Sequence, residues 1–158
     1  MSKPPKYWHK AKISLSKRDP ILKKIIKQYN KGHLTTRNNP FFSLCRTIVG
    51  QQISIKAADT IWNRLEAKCK KKIIPQKIIK LKGLGVWSAQ MFLMFNLNRP
   101  DIFPTKDIGL IRAISKNYKV SYPPSKRFLE KISKLHSGYR TVFTWYMWRS
   151  IDPTDVEY

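Results

Sequence analysis

Apolar positions recur at helical spacing along most of the chain. The stretch after Asp19-Pro20 shows the pattern most clearly, with apolar residues on one face at Ile21, Leu22, Ile25 and Ile26. Proline is favoured in the first turn of a helix, and aspartate is favoured directly before it. The sequence therefore predicts a helix that begins at Asp19-Pro20.

The same spacing predicts two helices in the next part of the chain. Their apolar faces are Phe41, Leu44, Cys45 and Ile48 for the first, and Ala57, Ala58, Ile61, Trp62 and Leu65 for the second. Gly50 interrupts the first pattern, and Ser54 is placed to cap the second helix.

The second half of the chain continues in helices separated by short breaks. A short helix over about 75–81 leads to a Gly-Leu-Gly turn, and an apolar helix follows. The segment PDIFPTKD, ending at Asp107, is typical of an extended loop. A helix near Ile108–Asn117, a turn at SYPPS and two further helices complete the pattern. Since no β-hairpin signature is present, we expect an all-α, compact helical bundle.

Composition narrows the class of protein. A chain of 158 residues with 42% hydrophobic residues is expected to form one domain, 1–158, or two small lobes, with a buried core. No apolar run is long enough to span a bilayer and the N-terminus lacks a signal-peptide core, so we expect an intracellular protein without a membrane partner. The two cysteines exclude a disulfide framework and a four-cysteine metal site.

Charge indicates the partner. The chain has 32 basic and 9 acidic residues, a net charge of +23. Such an excess favours a polyanion, most often nucleic acid, although ribosomal and membrane-surface proteins share it.

The segment LKGLGVWSAQM lies between two predicted helices, as in a helix-hairpin-helix motif. Gly83 and Gly85 allow a tight turn, whose free N–H groups can bind a DNA phosphate next to a helix N-terminus. An ordinary turn between helices uses the same residues, so the spacing alone does not decide.

Asp107 stands between the Pro-containing loop and a predicted helix. It is in position to cap that helix through a backbone N–H, or to serve as a functional carboxylate in a basic cleft, and both roles are compatible. The aromatic residues at helical spacing are expected to be mainly core residues: Trp62, Trp87, Trp145, Tyr146 and Trp148.

Three segments together carry a family resemblance: FFSLCRTIVGQQISIKAADTIWNRL, LKGLGVWSAQMFLMFNLNRPDIFPTKDIGLIRAI and GYRTVFTWYMWRS. In this order they strongly resemble DNA-3-methyladenine glycosylase II, of the helix-hairpin-helix glycosylase superfamily. The resemblance runs from about Ala11 to Asp152. It implies a DNA-repair enzyme that flips alkylated purines, 3-methyladenine and 7-methylguanine, out of duplex DNA and hydrolyses their N-glycosidic bonds.

The resemblance also implies roles for individual residues. Asp107, in a catalytic loop over about 99–107, matches the catalytic acid. The base pocket is implied at Trp87, Met91 and His136. The DNA contacts are implied at Gln51, Gln52, Ser54, Lys82, Gly83 and Gly85, around a hairpin over about 75–97, with Gln52 filling the gap left in the duplex.

Cofactor and reaction type follow from the same resemblance. No cofactor is expected to be required, and the four-cysteine iron–sulfur motif of some relatives is missing. A monovalent cation is implied at the backbone carbonyls of Ile79, Leu81 and Leu84. Trp87 replaces the lysine that attacks the sugar in bifunctional relatives, so we expect a monofunctional enzyme without lyase activity. We also expect a monomer.

The chain departs from the family pattern in its centre. Only 15 residues separate Leu65 from Leu81, a shorter segment than in the family. His136 takes the place of a usual tryptophan and Gly138 that of a common proline. The alternative reading is a non-catalytic DNA-binding module that lost activity with the missing segment, and an RNA-associated basic protein is a more distant one.

Overall fold

The computed structural model describes residues 3–35, 86–95 and 97–152. Within these ranges the chain forms helices and connecting loops, and none of the described residues lies in a strand. The helices are α1 (Trp8–Arg18), α2 (Pro20–Gln28), α3 (Val86–Phe95), α4 (Ile108–Tyr118), α5 (Lys126–Leu135) and α6 (Arg140–Ile151). The predicted all-α class is confirmed.

The chain divides into two compact units. The first combines Met1–Thr36 with Asn98–Glu157, and the second is Arg37–Leu97. The first unit therefore contains α1, α2, α4, α5 and α6, and the second contains α3. None of the described helices is both long and apolar enough to cross a bilayer.

Helix α6 is the centre of the first unit. It contacts α1, α2 and α4, and every residue from Thr141 to Arg149 is buried. Because these residues cover the whole circumference of the helix, α6 has neighbours on all sides and lies at the centre of the unit. Its aromatic side chains pack edge to face: the ring centroid of Trp145 lies 5.4 Å from that of Trp8 and 4.9 Å from that of Tyr146.

Helix α2 begins where the sequence predicts. The Asp19 carboxylate accepts hydrogen bonds from the backbone N–H groups of Ile21 (2.8 Å) and Leu22 (3.1 Å), and Pro20 occupies the first turn. The side chains of Leu22, Ile25 and Ile26 are buried, as their spacing predicts.

Helix α1 was not predicted from the sequence. Only Trp8, Ala11 and Leu15 of this helix are buried, and lysines stand between them. Three apolar residues spread over two turns give a weak periodic signal, which explains the omission.

Helices α4 to α6 agree with the predicted order. The helix expected near Ile108–Asn117 ends at Tyr118, where Lys119 adopts a left-handed conformation with φ 53°. The Ser125 hydroxyl caps α5 by accepting the Phe128 N–H at 3.2 Å. The loop predicted before Asp107 is irregular, as expected.

Candidate active site

Asp107 lies at the N-terminus of α4, at the end of the Pro-containing loop. Its Oδ1 accepts the backbone N–H of Leu110 at 2.6 Å, which is the bond of a helix cap. The residue is only 8% exposed. The predicted capping role is therefore confirmed, and the cap holds a largely buried carboxylate in place.

A second donor reaches the same oxygen from α6. The indole Nε1–H of Trp148 donates to Asp107 Oδ1 at 2.8 Å. Trp148 was predicted to be a core residue, and it is buried. Its hydrogen bond was missed, although a buried indole N–H generally needs an acceptor and the chain has few carboxylates.

The loop that leads to Asp107 is anchored by its apolar residues. Phe103 and Pro104 are buried, and the Phe103 ring lies 6.0 Å from the ring of Phe143 on α6. The Asp107 N–H donates to the Pro104 carbonyl at 2.9 Å, which closes a turn with Thr105 and Lys106 exposed. The two anchors therefore fix the backbone just before Asp107.

An ion pair holds the start of the loop. Arg140, the first residue of α6, donates from Nε and Nη2 to the two Asp101 oxygens, each at 2.7 Å, and its backbone N–H adds a bond of 3.2 Å. Burial raises the pKa of Asp101, but the hydrogen bonds from Arg140 outweigh this effect and lower it overall. The pair is therefore ionised at neutral pH and bidentate.

Thr141 completes this attachment. Its N–H donates to the Pro100 carbonyl at 3.1 Å, and its hydroxyl donates to the Arg99 carbonyl at 2.6 Å. The same hydroxyl accepts the Ile102 N–H at 3.0 Å. The first turn of α6 thus binds the loop at three backbone positions, Arg99, Pro100 and Ile102.

His136, which the resemblance placed in the base pocket, has no exposed surface. Its Nδ1 lies 2.8 Å from the Ile132 carbonyl oxygen and its Nε2 lies 2.9 Å from Asp19 Oδ2. The imidazole stacks on Phe143 with ring centroids 4.0 Å apart. With both nitrogens and one ring face occupied by the first unit, these contacts favour a structural role.

The partner of His136 is a buried carboxylate with several donors. Asp19 is 2% exposed and also accepts the Tyr118 hydroxyl through Oδ2. Burial raises the pKa of Asp19, but the hydrogen bonds from His136, Tyr118 and the Leu22 N–H together lower it. Burial and the neighbouring Asp19 both raise the pKa of Tyr118. This buried polar cluster joins α2, α4 and the end of α5, and the sequence did not predict it.

The other predicted site residues belong to the second unit or to segments that the structure does not describe. Trp87 and Met91 are on α3, where Trp87 is half-buried and Met91 is buried. Several lie outside the described residues, so their roles stay predictions: Gln51, Gln52, Ser54, Lys82, Gly83 and Gly85 for DNA, and Ile79, Leu81 and Leu84 for a monovalent cation.

Comparison with known proteins gives relatives of one kind. No protein-family model matches the chain. YfjP of Bacillus subtilis, whose name describes a DNA-3-methyladenine glycosylase, is 40% identical to this chain over 79 residues. These residues are 50% of this chain and 28% of YfjP. DNA-3-methyladenine glycosylase 1 of Schizosaccharomyces pombe is 22% identical over 197 residues, covering 89% of this chain and 86% of the relative. The chain is thus similar in sequence to DNA-3-methyladenine glycosylases, as its motifs predict.

Solved structures show the glycosylase fold. S. pombe 3-methyladenine DNA glycosylase (Mag1), in complex with abasic DNA, superimposes with a TM-score of 0.69 at 21% identity, over 89% of this chain and 96% of that one. DNA-3-methyladenine glycosidase of Bacillus halodurans gives 0.67 at 25% identity, over 88% of both chains.

The chain is shorter than the relatives that it matches. The match to YfjP spans less than a third of that protein. The alignment with the S. pombe enzyme extends over 197 residues, although this chain has 158, so the relative has residues that this chain lacks.

Proposed function

We propose that this chain is a monofunctional DNA glycosylase that hydrolyses the N-glycosidic bond of alkylated purines, 3-methyladenine and 7-methylguanine, in duplex DNA. The observation that carries the proposal is the Asp107 carboxylate, largely buried and held by two N–H donors at the end of an anchored loop. The names of its relatives, and the abasic DNA bound to Mag1, support the same chemistry.

Asp107 suits the electrostatic demand of this reaction. As the glycosidic bond breaks, the base departs with the bonding electrons and the sugar develops the positive charge of an oxocarbenium ion. A carboxylate already fixed in place stabilises that charge without reorganising, and it can orient the attacking water. The products are then the free base and an abasic site.

The lesion itself supplies part of the driving force. A 3-methyladenine or 7-methylguanine base in DNA is cationic and leaves as a neutral base. It therefore needs less stabilisation by the enzyme to depart than a neutral lesion needs. Trp87 is proposed to stack on the flipped base, because an aromatic face attracts a cation by about 0.5–2 kcal/mol. Met91 belongs to the same proposed pocket, whereas His136 is given no role in it.

The charge of the chain suits a DNA partner. With a net charge of +23, neutralised phosphates release counterions, so the logarithm of affinity should fall with the logarithm of salt by about 0.9 per phosphate contacted. We infer that the hairpin around Gly83 and Gly85 holds the backbone of one strand, and that Gln52 fills the space of the flipped nucleotide.

The absence of a lysine at the Trp87 position supports the monofunctional assignment. An indole cannot form the imine through which a lyase cleaves the strand. Borohydride is therefore expected to trap no covalent protein–DNA adduct. Efficient trapping would show that another amine attacks the sugar.

The decisive assay measures the release of free methylated bases from alkylated duplex DNA by the wild-type protein and by Asp107→Asn. We expect release by the wild type and none by the variant. The variant should bind duplex DNA at least as tightly, because it loses one negative charge. Near-wild-type turnover by Asp107→Asn would contradict the catalytic assignment. Tight binding without release by the wild-type protein would identify the non-catalytic DNA-binding module.

A further inference from the structure

We propose that Trp148 is a positioning residue for the reaction, which holds the Asp107 carboxylate in its working orientation. The proposal rests on the proposed function, since it assumes that Asp107 is the catalytic carboxylate. It adds a residue outside the loop and the hairpin to the machinery.

The hydrogen bond is close and well shielded. Trp148 Nε1 lies 2.8 Å from Asp107 Oδ1, and the indole is 5% exposed. A donor bonded to a carboxylate forms a charge-assisted hydrogen bond, which is stronger than a neutral one. Because little water reaches the pair, solvent does not readily replace the indole when it is removed.

Two donors fix what one donor leaves adjustable. The Leu110 N–H comes from α4, the helix that Asp107 itself caps, and bonds the carboxylate at 2.6 Å. A single bond allows the carboxylate to turn about it, whereas a second donor from another helix defines the plane of the group. Rates of enzymatic steps depend steeply on such positioning, so the second donor should matter for catalysis.

The same helix holds the other end of the loop. Arg140 and Thr141, in the first turn of α6, bind the loop around Asp101, and Trp148 lies two turns further along. One rigid helix therefore supports the loop where it begins and the carboxylate where it ends. The distance between these two points is set by the rise of a helix rather than by the flexible loop.

Gly109 shows how closely the pair is fitted. A Cβ atom at this position would lie 3.2 Å from Asp107 Oδ1 and 3.4 Å from both Cδ1 and Nε1 of Trp148. At 3.2 Å the carboxylate oxygen must give by a few tenths of an ångström, whereas 3.4 Å from the indole is ordinary contact. Gly109→Ala therefore shifts the Asp107 carboxylate without deleting either member of the pair.

The main test compares Trp148→Phe with Trp145→Phe in single-turnover release of 3-methyladenine from duplex DNA. Trp145 is the matched control, a buried tryptophan on the same helix whose ring packs on Trp8 and Tyr146. We expect Trp148→Phe to slow release by about 10- to 100-fold, less than or comparable to the loss of a donor that contacts the transition state directly. Trp145→Phe should stay close to the wild-type rate, and both should bind abasic duplex DNA like the wild type.

Two further measurements separate positioning from general damage to the fold. In the Asp107→Asn background, adding Trp148→Phe should change the residual rate little, because the group that the indole orients is already lost. In nitrogen-15 spectra, the indole N–H signal that disappears in Trp148→Phe should shift in Asp107→Asn. If Trp148→Phe does not fold, Gly109→Ala takes its place, with slower release expected at wild-type DNA affinity.

The outcomes distinguish this inference from the proposed function. Equal rates for Trp148→Phe and Trp145→Phe, or Gly109→Ala with the wild-type rate, would overturn the positioning role while Asp107→Asn stays inactive. An active Asp107→Asn would instead refute the catalytic assignment on which the inference rests. Full additivity of the Trp148→Phe and Asp107→Asn effects would also count against positioning.

Discussion

Replacing His136 by phenylalanine tests whether this residue belongs to the fold or to the base pocket. Phenylalanine keeps a planar ring that can stack on Phe143, where the imidazole now lies 4.0 Å away between centroids. It removes the bonds to Asp19 and to the Ile132 carbonyl. The variant therefore changes hydrogen bonding far more than packing.

The expected loss of stability depends on the hydrogen-bond donors that Asp19 retains in the variant. The carboxylate is 2% exposed, and it retains the Tyr118 hydroxyl and the N–H groups of Ile21 and Leu22. Breaking a fully buried ion pair costs about 3–5 kcal/mol, whereas leaving one buried polar group unsatisfied costs about 1–3 kcal/mol. Since three donors remain, we expect His136→Phe to lower the free energy of unfolding by about 2–3 kcal/mol.

Urea denaturation at neutral pH measures this change, with His9→Phe as the control. His9 is exposed on α1, so the same substitution there should alter stability little. The folded His136→Phe protein should release methylated bases at the wild-type rate. Unchanged stability combined with slow base release would refute this reasoning and restore His136 to the pocket.

The remaining predictions concern acid stability, the loop and the substrates. Folding lowers the pKa of Asp19, so the ionised carboxylate stabilises the fold fully above the unfolded-state pKa of about 3.9, and this contribution is lost as pH falls through the folded-state pKa. The difference in unfolding free energy between the wild type and Asp19→Asn should therefore narrow in acid. A difference that widens in acid would contradict this assignment. Asp101→Asn removes a partly exposed bidentate ion pair with Arg140, and it should lower the free energy of unfolding by about 1 kcal/mol in urea titrations. It should also slow base release more than the control Ser133→Ala, which removes only the Arg140–Ser133 hydrogen bond. The shortened centre predicts an open pocket, so hypoxanthine and 1,N6-ethenoadenine should be released far more slowly than 3-methyladenine, and equal rates would refute it. DNA affinity should fall steeply with added salt, and a flat salt dependence would show that the basic surface is not the DNA face.

Sequence patterns predicted what depends on local chemistry. Asp19-Pro20 marks a helix start because capping and proline geometry act within a few residues, and Asp107 follows the same rule before α4. Helix α1 was not predicted because only Trp8, Ala11 and Leu15 form its apolar face, with lysines and the exposed Ile13 between them.

Sequence patterns alone did not predict contacts between residues that are distant in the sequence. Asp19 and His136 are 117 positions apart, and Asp107 and Trp148 are 41 positions apart. Periodicity predicts that His136 and Trp148 lie on helices, but it does not show which helix faces which. The resemblance to glycosylases identified Asp107, whereas the hydrogen bond from Trp148 required the packed structure.

The attachment of the loop to α6 has a consequence for how this protein tolerates changes in length. The hydrogen-bond partners described for Asp107 are Pro104, Leu110 and Trp148, and those of the loop's start are Arg140 and Thr141. These residues lie within about fifty positions of one another, all after the segment in which the chain is short. A change of length between Leu65 and Leu81 therefore leaves each of these hydrogen-bonding residues in the sequence.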